Sequence, residues 1–297
     1  MTKQKTLIAI LLVLSICAGL TACSEQKTTD IVATTLPVYE FTAILCDGTD
    51  ITVSRLITEE VSCLHDYTLQ VSQMRMIEAA DVIVTSGAGL EAFFSDALSC
   101  SAKTIDASQG ISLRCFDSHD PHDHSSEHAH SHEHDPHIWL DPSNGKQMAR
   151  NICTQLIAIY PEHTKIFQDN LATLELRFDE LSDYATLQLS NLRCRELITF
   201  HDGFSYLAHA YDLSILHAIE EESGSEASAA ELIALISIVQ ENNLQAIFVE
   251  RSGSTSAAQI ISEETGAGIY TLDMAMSGNS YFEAMYHNID VLKEALG

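Results

Sequence analysis

The chain has 297 residues, with 15 Lys and Arg against 42 Asp and Glu, for a formal charge of −27 at pH 7. A surface of that sign argues against nucleic acid as a partner, and it favours the approach of cations without requiring it. The length suits one large domain or two of ordinary size.

Residues 1–22 read as a signal peptide. Lys3 and Lys5 give a positive start, and Leu7 to Leu20 is apolar but too short, at about 14 residues, for the ~20 that span a bilayer. The ending Leu20-Thr21-Ala22-Cys23 resembles a bacterial lipobox, which implies cleavage before Cys23 and lipid attachment to its sulfur. Residues 23–29 then form a polar tether, and the chain is exported and held at a membrane surface by acyl chains. Removing residues 1–22 leaves 13 basic and 42 acidic residues, a charge of −29.

Strands and helices alternate from there on. Ile31 opens a strand, followed after Pro37 by a helix to about Cys46. Ile51 to Ile57 is a second strand and leads to a loop with His65. Ser72 caps a helix running to Ala80, Val82 to Thr85 is a buried strand, Gly89 to Leu98 a helix, and Thr104-Ile105 a short strand. After Asp141-Pro142 a helix reaches Ile159. One long helix covers 161–190, with Leu171, Leu174, Phe178 and Leu181 as its apolar stripe. The pattern then repeats. Strands are expected at Glu196–Phe200, Ser214–His217, Ala246–Glu250 and Gly268–Leu272. Helices are expected at Gly203–Tyr211, from Ser228 through Glu241, at Ala257–Thr265 and from Ser280 onward. Such alternation predicts an α/β fold of two pseudo-symmetric lobes, each a parallel sheet flanked by helices and joined by one long rigid helix. The lobes are placed at 30–160 and 191–297.

Cys46, Cys63, Cys100, Cys115, Cys153 and Cys194 follow the signal. Export permits disulfides, and Cys46–Cys63 and Cys100–Cys115 are near in sequence, but the connectivity stays open. No pair has the spacing of a thiolate metal site.

Histidines are the most informative feature. His119, His122, His124, His128, His130, His132 and His134 lie among Asp, Ser and Glu, with almost nothing apolar, and read as a mobile, weakly metal-attracting loop over 119–134. His137 differs, being set in Asp135-Pro136-His137-Ile138-Trp139-Leu140-Asp141-Pro142, where two prolines stiffen the backbone and three apolar residues anchor it. His201 and Asp273 each follow a strand directly, and His65 follows one by a loop. In open parallel sheets, ligands bind beyond the carboxyl ends of the strands, so His65, His137, His201 and Asp273 are the candidate ligands of a site between the lobes. Three imidazoles and a carboxylate suit four-coordinate Zn²⁺. Glu250, also at a strand end, is the candidate outer partner. The chain lacks His-Glu-x-x-His and any recognisable nucleophile, and four protein ligands leave a zinc ion no open position, so an enzyme is not expected.

Several segments together resemble one family: Thr34-Thr35-Leu36-Pro37-Val38-Tyr39, His65-Asp66-Tyr67, Gly87-Ala88-Gly89-Leu90-Glu91, Asp106-Ala107-Ser108-Gln109-Gly110-Ile111, the His137 octapeptide and Thr199-Phe200-His201-Asp202. Ile247-Phe248-Val249-Glu250 and Thr271-Leu272-Asp273 belong to the same set. They are similar to the metal-binding solute-binding lipoproteins of zinc/manganese-type ABC transporters. The resemblance implies a metal buried between two lobes and carries the ligand role onto His65, His137, His201 and Asp273. It also implies an ABC permease with its ATPase as partners, a monomer, and a bacterial cell-membrane location outside the cytoplasm. Manganese members tend to carry a carboxylate at the position of His201, so the imidazole points to zinc, with manganese or dual import as the alternative. A surface adhesin stabilised by zinc is the other alternative. Leu64 and Met274 stand where the family usually has proline, and Arg251 is placed to pair with Glu250 and draw it from the site.

Overall fold

The computed structural model describes residues 29–61, 64, 67–99, 103–115, 134–218, 228–251 and 255–297. Cys23, Cys63, His65, Cys100, the histidines from His119 to His132 and the loop 221–227 lie outside the described residues.

In the first lobe, strands β1 (Ile31–Ala33), β2 (Val53–Arg55), β3 (Val82–Thr85) and β4 (Lys103–Asp106) pair in parallel in the order β2-β1-β3-β4. Helices α1 (Leu36–Leu45), α2 (Val71–Ala79) and the short α3 (Ser95–Ser99) connect them. Helix α4 (Pro142–Ile159) follows, and α5 (Thr164–Gln188) crosses to the second lobe. There β5 (Glu196–Thr199), β6 (Ser214–Ala218), β7 (Ala246–Glu250) and β8 (Gly268–Leu272) repeat the arrangement as β6-β5-β7-β8, again all parallel. Their helices are α6 (Ser205–Ala210), α7 (Ala229–Glu241), α8 (Ser256–Thr265) and α9 (Tyr281–Leu296). The central strands β1, β3 and β7 are buried along their whole length, as expected of parallel strands covered on both faces. Among the described residues no helix is long and apolar enough to cross a membrane.

Element boundaries differ from the sequence expectations where local hydrogen bonding intervenes. The strand expected over Ile51–Ile57 contracts to Val53–Arg55, because its partner β1 is itself only three residues long; Leu56 and Ile57 still donate to the carbonyls of Ala33 and Thr34. Helix α2 begins at Val71, so Ser72 lies inside it, and Gln70 takes the cap position with its N–H bonded to Gln73 Oε1 at 2.8 Å. The helix expected over Gly89–Leu98 starts late, as a 3₁₀ turn at Ala92–Phe94. Gly87, Ala88 and Gly89 all have positive φ, a left-handed path that carries Glu91 inward before any helix can start. Pro161–His163 is likewise a 3₁₀ turn ahead of α5. Ser228 and Ser280 cap α7 and α9 as their positions suggest, their side chains accepting from Glu231 N and Glu283 N.

Helix α5 has 25 residues, about 37 Å at 1.5 Å per residue. Its buried face carries Phe167, Leu174, Phe178, Leu181 and Ala185. One continuous apolar core runs from the first sheet through this face to α9, while a second, smaller core lies under α7 and α8. The lobes and the strut meet in an aromatic cluster. Phe41 of α1 stacks edge-on against Phe178 at 5.3 Å and Tyr281 at 5.0 Å, and Phe178 lies 5.0 Å from Phe282. Helix α4 approaches this cluster through Gly145, where a Cβ would sit 2.7 Å from the Phe178 ring.

Polar ties close the same seam. The Glu40 carboxylate accepts from Tyr281 N at 2.5 Å and from Ser280 Oγ at 3.1 Å, so a first-lobe acid satisfies the N-terminus of α9. Arg177 of the strut sits 3.5 Å from Glu40 and stacks on Phe282. Trp139 Nε1 donates to the Met274 carbonyl at 2.8 Å, and Tyr281 Oη donates back to the Trp139 carbonyl at 2.8 Å. Lobes joined this densely resist wide hinge opening.

Cys46, Cys115, Cys153 and Cys194 are free thiols. This overturns the sequence-near pairings of Cys46 with Cys63 and of Cys115 with Cys100. Cys46 is buried at the end of α1 with its thiol pushed up to about 12, burial being the main cause, and Cys115 sits against His134.

Candidate metal centre

Parallel sheets whose chain leaves a central strand in both directions have a crevice at that switch point. In the second lobe it lies between β5 and β7. His201 emerges two residues beyond β5, and Glu250 is the last residue of β7. His201 Nδ1 is 3.4 Å from Glu250 Oε1, a contact longer than an ordinary hydrogen bond, and His201 Nε2 is a buried atom. Arg251 does not draw Glu250 away, as the sequence suggested; its guanidinium pairs with Asp273 Oδ2 at 3.2 Å instead. Burial, helped by the charge on Asp273, pushes the Glu250 carboxyl up to about 8.

His137 comes to the same place from the other lobe. The segment Asp135–Leu140 is fully buried, and Asp135 folds back to accept from both the backbone N–H and Nδ1 of His137, at 2.9 and 2.8 Å. Ser205 Oγ of α6 donates to the other Asp135 oxygen at 2.5 Å, which ties this carboxylate to the second lobe. Held at Nδ1, His137 presents Nε2 as a buried atom with no hydrogen-bond partner. The His137 and His201 rings lie 5.3 Å apart at 80°.

Gly203 completes the approach. A Cβ there would stand 2.5 Å from His201 Cδ2, 2.7 Å from its Nε2 and 2.8 Å from Met274 Cε, so only glycine leaves this imidazole its position.

Asp273 follows β8 as expected, and its backbone is locked by Asn288, which accepts from Asp273 N and donates to its carbonyl, both at 2.7 Å. Its carboxylate is engaged by Arg251 and by the N–H of Ala275, a non-glycine residue at φ 54°. Among the described residues, no three His, Cys, Asp or Glu side chains are gathered closely enough to hold an ion. The pair His137 and His201 is brought together, Glu250 lies behind one of them, Asp273 is turned to Arg251, and His65 lies outside the described residues. Of the loop histidines only His134 is described.

Sequence reasoning missed Asp135, Asn288 and Gly203. Asp135 had a readable signal, an acid two residues before a candidate ligand across a proline, where a short carboxylate can reach back to the backbone. Asn288 and Gly203 had none, since their roles depend on packing between elements distant in sequence.

The first lobe's switch point, between β1 and β3, is filled differently. Glu91 is buried there and accepts from Thr34 Oγ1 at 2.6 Å, Ser86 N at 2.8 Å and Gly87 N at 3.1 Å. Burial outweighs these donors and pushes its carboxyl up to about 7.

Residues 31–295 match the protein family described as zinc-uptake complex component A, periplasmic. A putative metal-binding protein of Treponema pallidum is 29% identical over 243 residues, covering 78% of this chain and 76% of the relative. The zinc-binding lipoprotein AdcA of Streptococcus pneumoniae is 30% identical over 302 residues, covering 96% of this chain and 60% of the relative, so the chain spans about three-fifths of that protein's length. Among solved structures, a crystal structure of ZnuA superposes with a TM-score of 0.76 at 28% identity, covering 90% of this chain and 99% of that one. The Zn(II)-bound ZnuA-like domain of AdcA superposes with a TM-score of 0.73 at 27% identity, covering 90% and 98%. A family match across nearly the whole described fold, together with the paired imidazoles of the cleft, leads to one conclusion: the chain belongs to the zinc-uptake complex component A family of metal-binding solute-binding proteins, and is not an enzyme.

Proposed function

We propose that the chain captures Zn²⁺ outside the cytoplasm and delivers it to an ABC permease driven by a cytoplasmic ATPase. One observation carries this reading. Two imidazoles from opposite lobes stand 5.3 Å apart with buried Nε2 atoms, and a carboxyl group lies near each Nδ1, hydrogen-bonded at 2.8 Å for His137 and 3.4 Å away for His201. A metal-ligating histidine ordinarily donates its other N–H to such an acceptor, which fixes the tautomer and raises ligand basicity. His65 and Asp273 complete the ligand set, with Asp273 exchanging Arg251 for the ion. Glu250 supports His201 from behind. Nitrogen donors outnumber oxygen, which favours zinc over manganese.

The remaining parts of the reading follow from the sequence. Residues 1–22 direct export, Cys23 carries the lipid, and the monomer stands at the cell membrane. The His119–His134 loop concentrates ions near the cleft. Because the seam between lobes is densely packed, release proceeds by local movement of ligands rather than by wide opening. Imidazoles must be neutral to ligate, so affinity falls on acidification.

The test is zinc accumulation by cells lacking the chain and grown in zinc-poor medium. The wild-type chain should restore uptake, and a His137→Ala/His201→Ala chain, present at equal level, should not. Full restoration by the double variant would overturn the reading. An adhesin with structural zinc would instead unfold on chelation.

A further inference from the structure

A second pair of metal-ligating side chains lies outside the cleft. Cys115 Sγ and His134 Nδ1 are 3.5 Å apart. Their positions are fixed by backbone rather than by chance approach of two long side chains. Asp135 N–H donates to the Arg114 carbonyl at 2.8 Å, which clamps the residue after His134 to the residue before Cys115. Arg114 N–H donates in turn to Oη of the buried Tyr206 at 2.9 Å. Short side chains on a clamped backbone lose little entropy on binding an ion.

The separation is the informative number. Zinc binds thiolate sulfur at about 2.3 Å and imidazole nitrogen at about 2.0–2.1 Å, with tetrahedral angles; sulfur and nitrogen on one ion then lie about 3.5–3.6 Å apart. The two atoms therefore already span one edge of a zinc tetrahedron. Cys115 is exposed and His134 half-buried, so the pair is reached from solvent. Sulfur with nitrogen selects zinc and other thiophilic ions and discriminates against magnesium, calcium and manganese, which prefer oxygen.

We propose that Cys115 and His134 form a second, solvent-facing metal site for Zn²⁺ or an ion of similar softness, separate from the cleft. On binding, the thiol gives up its proton to solvent and the sulfur becomes a thiolate ligand, while His134 ligates as neutral imidazole through Nδ1. Asp135 stands between the two places: its N–H is part of the clamp, and its carboxylate orients His137. With two protein ligands among the described residues the site exchanges its ion readily, as a landing place before the cleft must; that use rests on the zinc-capture reading, whereas the existence of the site does not.

Cobalt separates the two. Titrating the full, reduced chain with Co²⁺ should produce a near-ultraviolet sulfur-to-cobalt charge-transfer band that grows after the first equivalent, taken by the cleft, and saturates with one further ion. The band should vanish in Cys115→Ser, weaken in His134→Ala and persist in His137→Ala. A wild-type chain without the band, or a Cys115→Ser chain that keeps it, would overturn the proposal. So would loss of the band in His137→Ala, which would place the sulfur in the cleft site. Zinc competition against a chelator reads the cleft independently: Cys115→Ser should leave its tight binding intact, and loss of that binding would mean that there is one site rather than two. Failure of the cobalt signal with cleft binding preserved leaves the proposed function standing.

Discussion

Gly203→Ala is the sharpest probe of the cleft, because it adds one methyl group and meets the site at the proposed ligand atom, His201 Nε2. The new Cβ would lie 2.7 Å from His201 Nε2 and 2.5 Å from Cδ2. Ordinary carbon contacts need roughly 3.5 Å, so the ring must retreat by roughly 0.8–1 Å. Metal–ligand distances tolerate about 0.2 Å, and the obstruction falls on the nitrogen that would bind. Met274 Cε, 2.8 Å away, blocks one line of retreat. No positive φ is demanded at Gly203, so the backbone accepts alanine and the fold should survive with a loss of about 1–3 kcal/mol, as for other overpacked sites. Zinc affinity, measured by competition with a fluorescent chelator, should fall about 100-fold, at the upper end of what displaced supporting groups cost. Thermal unfolding of the metal-free protein provides the control. Wild-type affinity in a folded Gly203→Ala chain would show that His201 Nε2 is not a ligand, and the cleft reading would fail with it.

Three further substitutions test neighbouring parts of the account. Asp135→Asn keeps the shape but removes the charge behind His137; zinc affinity should drop about 10–100-fold while the fold persists, and unchanged affinity in the same competition assay would remove Asp135 from the site. Arg251→Gln frees the Asp273 carboxylate from a half-exposed ion pair, 3.2 Å long, worth about 1 kcal/mol at most. Calorimetry should then show zinc binding strengthened by up to about fivefold, and weakened binding would mean that the arginine supports the site rather than competing for Asp273. Glu91→Gln tests the buried acid of the first lobe. Its carboxyl is raised to about 7 in the folded chain, so the stability it lends is complete below about pH 4.5 and is lost as pH rises through 7, a change of about 3 kcal/mol. Urea midpoints at pH 5 and pH 8 should fall more for wild type than for the glutamine variant, and parallel pH profiles would refute the assignment.

The repeating architecture was legible because each central strand is a short apolar run flanked by helix signals, as in Val82–Thr85 and Ala246–Glu250, and because burial on both faces leaves no alternation to confuse the pattern. Helix starts were readable where a serine caps them, at Ser228 and Ser280, and misread at Ser72, where a glutamine pair does the capping. Strand ends pointed to His201 and Asp273, and two prolines pointed to His137. What could not be read is the seam. Glu40 capping α9, Trp139 bonding the Met274 carbonyl and Ser205 holding Asp135 join residues 70 to 241 positions apart. The pairing of Arg251 with Asp273 instead of its neighbour Glu250 has the same origin. Arg251 follows the last residue of β7, and its N–H donates to the Leu272 carbonyl at the end of β8, which sets its side chain beside Asp273 rather than Glu250.

The central claim is that imidazoles from the two lobes share one zinc ion. Calorimetric titration of the metal-free mature chain with Zn²⁺, beside His137→Ala and His201→Ala, tests it most directly. The account predicts one tight event in the wild type, lost in either variant, with only weaker events remaining. A tight event that survives in both variants would place the zinc site elsewhere and contradict the account.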